Sequence, residues 1–207
     1  MRTKTLLLSA VLSAACVASS LAQVYSVNVV GYIQKQVPAG FSMLSNPLTQ
    51  GGNTLQDVLT NGPGNLDTVF FFNPTTGQFA GSRYIAGSWN PNHDFSPGVG
   101  VFYSAAAART LTFVGSFNVG AQSGVAINPG FQIVGSQLPI SGSITNMNFP
   151  AVNLDTIFTF NGTSYAQARY IAGTWAPTAP SFQLGDGFWV NRSGTAAAGT
   201  WTETYSF

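Results

Sequence analysis

Charge is scarce in this chain. Only 6% of its 207 residues are Asp, Glu, Lys or Arg. A protein that grips nucleic acid or anionic lipid needs a basic face, and seven Lys and Arg against six Asp and Glu do not supply one. The residues of acid–base and metal chemistry are as sparse. His93 is the only histidine, Glu203 the only glutamate and Cys16 the only cysteine. That removes ordinary nucleophile–base triads, multi-histidine metal centres and disulfide frameworks. A glycosidase, which needs two carboxylates about 5 to 10 Å apart, has little to draw on. The expectation is therefore a non-enzymatic protein with no cofactor and no metal. What the sequence has in plenty is apolar material: 45% hydrophobic residues, including 16 Phe, 7 Tyr and 4 Trp. That is far too apolar for a disordered chain, so a folded core is expected.

The N-terminus carries an address. Arg2 and Lys4 precede an apolar run from Leu6 to Val17, and Ser20-Leu21-Ala22 places small residues at −3 and −1 of a cleavage site. Residues 1–22 read as a secretory signal, because a membrane span needs about 18 or more apolar residues and this run is shorter. Cys16, in Leu12-Ser13-Ala14-Ala15-Cys16, offers lipidation as an alternative, with the leucine one position further back than a lipoprotein signal places it. Cleavage after Ala22 removes Arg2, Lys4 and Cys16, leaving five Lys and Arg against six acids, a net of −1 with no thiol. An extracytoplasmic bacterial location follows: secreted, periplasmic or cell-surface.

The rest is written twice. Asn65-Leu66-Asp67-Thr68-Val69-Phe70 recurs as Asn153-Leu154-Asp155-Thr156-Ile157-Phe158, and Arg83-Tyr84-Ile85-Ala86-Gly87-Ser88-Trp89 as Arg169-Tyr170-Ile171-Ala172-Gly173-Thr174-Trp175. The offset drifts between blocks: 90 residues at Gly40-Phe41 and Gly130-Phe131, 88 and 86 at the two motifs, and 87 at Gly98 and Gly185. Each change falls in a Gly-, Pro- or Asn-rich stretch, where loops tolerate insertion and paired strands do not. Blocks such as Thr110–Phe113 and Leu154–Phe160 hold the β-branched and aromatic residues that suit a pleated surface. Only Asn53–Leu59 reads as a short helix, capped by Asn53 or Thr54. The expected fold is all-β: two tandem antiparallel units of small barrel or sandwich type, 23–116 and 117–207, packed with a pseudo-twofold relation and no flexible linker.

The repeated residues invite two readings. About the hairpin tips, Asp67 faces Arg83 and Asp155 faces Arg169, which predicts two partly buried ion pairs fixing strand register. Phe70, Phe72 and Tyr84, and their counterparts Phe158, Phe160 and Tyr170, are then expected to form the main core on the other face. An aspartic-protease reading of the paired Asp-Thr fails, because Val69 or Ile157 stands where such a loop needs glycine. Among the aromatics, Trp89, Trp175, Tyr84 and Tyr170 are the candidate binding residues, with the loops Asn90–Pro97 and Ala176–Phe182 as a rim. Trp and Tyr rings stack on the apolar faces of sugars and partner proteins.

Pro38-Ala39-Gly40-Phe41, then a Trp-bearing hairpin, then Gly98-Val99-Gly100-Val101-Phe102-Tyr103, with Pro129-Gly130-Phe131 and Gly185-Asp186-Gly187-Phe188-Trp189 in the second copy, resembles an uncharacterised family of secreted bacterial proteins. That family opens each unit with Pro-x-Gly-aromatic and closes it with Gly-x-Gly-aromatic. The resemblance implies location and duplicated architecture and transfers no catalytic residue. The function expected is an envelope or extracellular structural or binding module, its partner a cell-surface glycan or an envelope protein. The alternatives are a carbohydrate-binding protein and, from Trp201, Tyr205 and Phe207 on alternate positions, a small outer-membrane β-barrel. Nucleic acid is not an expected partner, and a membrane only through Cys16 or such a barrel.

Overall fold

The structure, a computed structural model, describes residues 28–121 and 124–205. The expected signal, Cys16 and Phe207 lie outside them. The first half contains β1 (Asn28–Val37), β2 (Gly40–Ser45), α1 (Leu55–Val58), β3 (Leu59–Asn61), β4 (Thr68–Asn73), β5 (Gln78–Ile85), β6 (Ser88–Asn90), β7 (Gly100–Ala105) and β8 (Arg109–Asn118). The second contains β9 (Gly120–Ala121), β10 (Val125–Ile127), β11 (Gly130–Gly135), β12 (Gly142–Ser143), β13 (Thr156–Phe160), β14 (Tyr165–Ile171), β15 (Thr174–Ala176), β16 (Ser181–Phe182), β17 (Gly187–Arg192), β18 (Gly199–Trp201) and β19 (Thr204–Tyr205).

The protein is all-β. Two open, antiparallel five-stranded sheets dominate, ordered β2-β7-β4-β5-β6 and β11-β17-β13-β14-β15, so the same succession of strands builds both. Smaller ladders flank them: β1-β8-β3 in the first half, and β10-β18, β12-β16 and β9-β19 in the second. Val119 alone separates β8 from β9, so the halves join without a linker. Among the described residues the one helix, α1, sits where a cap could be read. Thr54 caps α1 and Asp57 returns the bond to the Thr54 backbone, a capping box. The Thr54 hydroxyl and then its backbone N–H hold the Asp57 carboxyl below the usual range.

Each five-stranded sheet turns one face to its own core. Val69, Val101 and Tyr103 face inward in the first half, packed with Leu44, Trp89, Phe95 and Phe113. Ile157, Phe188 and Val190 do so in the second, packed with Phe149, Trp175 and Trp201. The expected core set is split. Tyr84 and Tyr170 pack against the cores as expected, whereas Phe70, Phe72, Phe158 and Phe160 lie on the other face and are only half-buried. The two strands of each hairpin are shifted by one residue from the expected pairing, which separates the tyrosines from the phenylalanines. Thr68 pairs with Arg83, and Thr156 with Arg169, because both hairpin tips hold four residues, 74–77 and 161–164, and the hairpin axis falls between residues. A one-residue slip moves a side chain to the opposite face of a pleated strand. The second hairpin is shorter by one whole cross-strand pair, since Phe160 pairs with Tyr165 where the first sheet adds Asn73 with Gln78 beyond Phe72 with Phe79. Losing a pair preserves the facing of every side chain; losing one residue would not.

The two sheets meet end to end. Ser45 N donates to Gly185 O at 2.9 Å and Gly135 N donates to Gly98 O at 3.1 Å. Leu44 bridges Asp186 while Val99 bridges Val134. Since Ser45 matches Gly135 at an offset of 90 and Gly98 matches Gly185 at 87, each half gives the other the contact it receives. The strands β2, β7, β11 and β17 thereby form a circuit whose crossings admit almost no side chain. A Cβ on Gly100 would fall 2.7 Å from Val134 N, one on Gly187 2.4 Å from Leu44 O, and one on Gly135 2.1 Å from Ser45 Oγ. The Lys35–Asp186 ion pair closes over the same seam.

Candidate functional site

Beside this seam the outer faces of the sheets form one aromatic surface. Alternation along the strands puts Phe41, Phe102, Phe70, Phe72 and Phe79 on the outer face of the first sheet. The matching positions of the second hold Phe131, Trp189, Phe158, Phe160 and Tyr165. Rings interlock across the seam, Phe72 against Trp189 at 4.7 Å and Phe102 against Phe160 at 5.8 Å, contacts that correspond under the repeat. Within each sheet Phe72 packs on Phe79 at 5.2 Å and Phe160 on Tyr165 at 4.9 Å. These side chains stay wet: Phe41 is 45%, Phe79 48% and Tyr165 50% exposed.

The surface is concave on one side of the seam. A cleft of about 530 Å³ is lined by Phe41, Phe70, Phe79 and Phe102 from the first half and by Phe160, Tyr165 and Trp189 from the second. Its lining side chains are all aromatic, with the Tyr165 hydroxyl and the Trp189 indole N–H as their only polar groups. Clefts of roughly 300–1,000 Å³ with apolar walls are the usual size of small-molecule sites. The matching residues Phe131 and Phe158 do not line this cleft, although Phe131 meets Phe158 at 6.1 Å and Trp189 at 6.0 Å much as Phe41 meets Phe70 at 6.0 Å and Phe102 at 6.2 Å.

The residues singled out from sequence lie elsewhere. Trp89 and Trp175 are 4% and 9% exposed, each packed in the core of its half, with Tyr84 and Tyr170 half-buried against them at 5.1 and 5.2 Å. The proposed ion pairs are not formed either. Asp67 is fully buried and meets Arg109 Nε at 2.6 Å, the Tyr103 hydroxyl at 2.5 Å and the N–H groups of Gly64 and Ala106, not Arg83. Asp155 is equally buried and meets Arg192 at 3.0 Å, not Arg169. The one-residue shift explains both corrections, since it puts Arg83 and Arg169 on the outer face beside Thr68 and Thr156. There Arg83 Nε reaches only the Thr68 hydroxyl, at 3.5 Å.

One further acid is buried. Glu203 is 1% exposed, with its oxygens 2.7 Å from Ser136 Oγ and 2.6 Å from Gln137 N. Ser136 Oγ also lies 2.7 Å from Leu138 O, so its single proton serves two acceptors when Glu203 is ionised. A proton on the carboxyl satisfies all three contacts. Burial raises the Glu203 pKa to about 7, against the smaller opposing effect of those hydrogen bonds. The acid ties the C-terminal segment to the turn after β11 and is remote from the aromatic cleft.

No family model, curated protein or solved structure matches this chain. Among the described residues, no three His, Cys, Asp or Glu side chains gather where they could hold a metal ion.

Proposed function

We propose that this protein is an extracytoplasmic, non-enzymatic binding module whose ligand lies in the aromatic cleft at the seam. The signal-like segment 1–22 supports the location. The cleft supports the activity, and one observation carries it: seven aromatic side chains from both halves wall a cavity of about 530 Å³ and remain half-exposed rather than closing over it. Exposed aromatic area of this kind costs solubility and marks an interaction site. Trp189 reports on the site directly. It is half-exposed, whereas Trp89, Trp175 and Trp201 are buried. Titration with the fluorescent apolar dye 1-anilinonaphthalene-8-sulfonate is expected to give saturable, one-site binding with energy transfer from Trp189, lost in Phe41→Ser/Phe102→Ser. Absence of saturable binding would refute the reading. Fractionation of the host with intact-mass analysis tests the location, and a cytoplasmic protein retaining Met1 would end it.

Carbohydrate binding keeps a second place because of one pocket in the second half. Tyr170, Trp175, Thr145, Thr174 and Phe149 help line a cavity of about 380 Å³ with hydroxyls as well as rings. In the first half Gln56 reaches into the matching region, accepting from Trp89 N at 3.1 Å and donating to Gly87 O at 3.4 Å. Affinity electrophoresis in envelope and plant polysaccharides, with Tyr170→Ala as the variant, tests this; no retardation in any of them removes it. Trp175→Ala is a poor probe because it empties the core. The outer-membrane barrel gains no support from the geometry. Both large sheets are open, and Trp201 and Glu203 point into the protein.

A further inference from the structure

We infer that the cleft takes the free form of an anionic amphiphile, a single alkyl chain with a carboxylate head, with the chain along the aromatic floor and the head at Arg83. The inference rests on the cleft reading above and adds a ligand class to it. Cross-strand pairing runs Phe41–Ser104–Thr68–Arg83 in one row of the outer face, next to the row Phe102–Phe70–Gly81. Arg83 therefore stands one row, about 7 Å along the strand, from the glycine on which Phe70 rests. Its guanidinium is exposed and, among the described residues, meets no carboxylate; the Thr68 hydroxyl at 3.5 Å is its neighbour. An apolar cleft with a cation one row beyond its Phe70 wall matches a ligand with one charged end. Walls whose side chains offer one hydroxyl and one indole N–H suit neither a sugar nor a ligand polar along its length, because most buried polar groups would lose their water unpaired.

The repeat supplies an internal control. Arg169 occupies the equivalent place beside Thr156 and Phe158, but neither Phe158 nor Phe131 lines the cleft, whereas Phe70 and Phe41 on the Arg83 side do. Both arginines are exposed; only Arg83 has a cleft-lining ring, Phe70, in the next row of its own hairpin. General anion attraction would use both, and a built site uses one.

The experiment is calorimetry on the mature protein with laurate, dodecanol and dodecyltrimethylammonium, each below micelle formation, with Trp189 emission as second readout. Laurate is expected to bind one equivalent roughly fivefold tighter than dodecanol, with the cation weakest. A charge-assisted bond at an exposed site gives an advantage of that order, declining with added salt. Arg83→Gln is expected to bring laurate down to dodecanol, and Arg169→Gln to leave the preference intact. Equal affinity for laurate and dodecanol in the wild type, or equal effects of the two variants, overturns the inference while leaving an apolar cleft. Binding to anionic phospholipid vesicles that laurate does not compete away also overturns it, in favour of a membrane face. No heat or emission change with any amphiphile overturns both the inference and the cleft reading.

Discussion

Asp67 and Asp155 hold matching positions in the two halves, both fully buried, and each accepts a backbone bond from the residue three before it. Their cations come from unrelated places. Arg109 reaches Asp67 from the start of β8, with its side chain 24% exposed, and its contact is Coulombic, since Nε makes no aligned hydrogen bond. Tyr103 shares the load there. Burial first, then the hydrogen bond and charge of Asp67, push the Tyr103 phenol well above the tyrosine range, so it remains a donor. Arg192 reaches Asp155 from the end of β17, 1% exposed, and also donates to Ile127 O and Pro150 O. The recurring motif keeps the carboxylate, while the neutralising group is supplied differently in each half. What each half requires is a closed charge balance around that Asp, not a particular partner.

The sharpest test of that contrast is unequal loss. Asp155→Asn strands a guanidinium that has no route to water and is expected to cost about 3–5 kcal/mol. Asp67→Asn leaves Tyr103 a partner and Arg109 partly hydrated, and about 1–3 kcal/mol is expected. Urea unfolding of both variants decides, and equal costs would break the comparison.

Glu203 sharpens it from the other side, as a buried acid with no cation. Its native pKa of about 7 lies above the ordinary 4.5. The folded state therefore holds a proton that the unfolded chain releases, and the contribution of Glu203 to stability is full below pH 4.5 and is lost as pH rises towards 7. The loss is on the order of 3 kcal/mol. Glu203→Gln, which mimics the protonated acid, should flatten that slope in chemical unfolding followed from pH 4.5 to 8; a slope unchanged by the substitution would count against a native-state proton on Glu203.

At the seam, equivalent positions differ because only one side chain fits. Gly135→Ser is expected to destabilise by roughly 2 kcal/mol through its clash with Ser45, and adding Ser45→Gly should restore much of it. Additive effects in the thermal unfolding of the double variant would show that the two positions do not compete. The smallest effect belongs to Arg83→Gln and Arg169→Gln, exposed and without carboxylate partners, within about 0.5 kcal/mol each. A larger cost would reinstate the pairing that the hairpin symmetry suggested.

The strands were legible because β-branched and aromatic runs lie between turn residues, and Thr54 was legible because a cap needs little beyond its own neighbours. Register was not. Symmetry about Thr75 and Gly162 assumes an odd-membered tip, whereas Asn73 Oδ1 gathers Thr75 N and Thr76 N, and Asn161 Oδ1 gathers Thr163 N and Ser164 N, around four-residue tips. From that single residue came the wrong ion pairs and the placing of Tyr84 and Tyr170 with the phenylalanines. The cleft was missed because the Phe-rich face looked like a core. The signal against it was present: in the observed register Arg83 shares that face in the first sheet, and Gln167 and Arg169 share it in the second, groups that a closed core does not accept unpaired. Trp89 and Trp175 stand out in the sequence as wide rings on a hairpin, but the size that suits them to ligands also suits them to filling a core.

The reciprocal bonds at the seam, Ser45 to Gly185 and Gly135 to Gly98, have the logic of an isologous interface, in which a patch meets its own copy about a twofold axis. With both partners in one chain their stoichiometry is fixed and matching positions are free to differ, as Phe102 and Trp189 do, so the cleft need not be lined symmetrically. It also leaves an exchange hazard. The bonds that close the first half on the second are equally available to the second half of another molecule, so refolding at high concentration is expected to yield swapped dimers carrying two intact clefts.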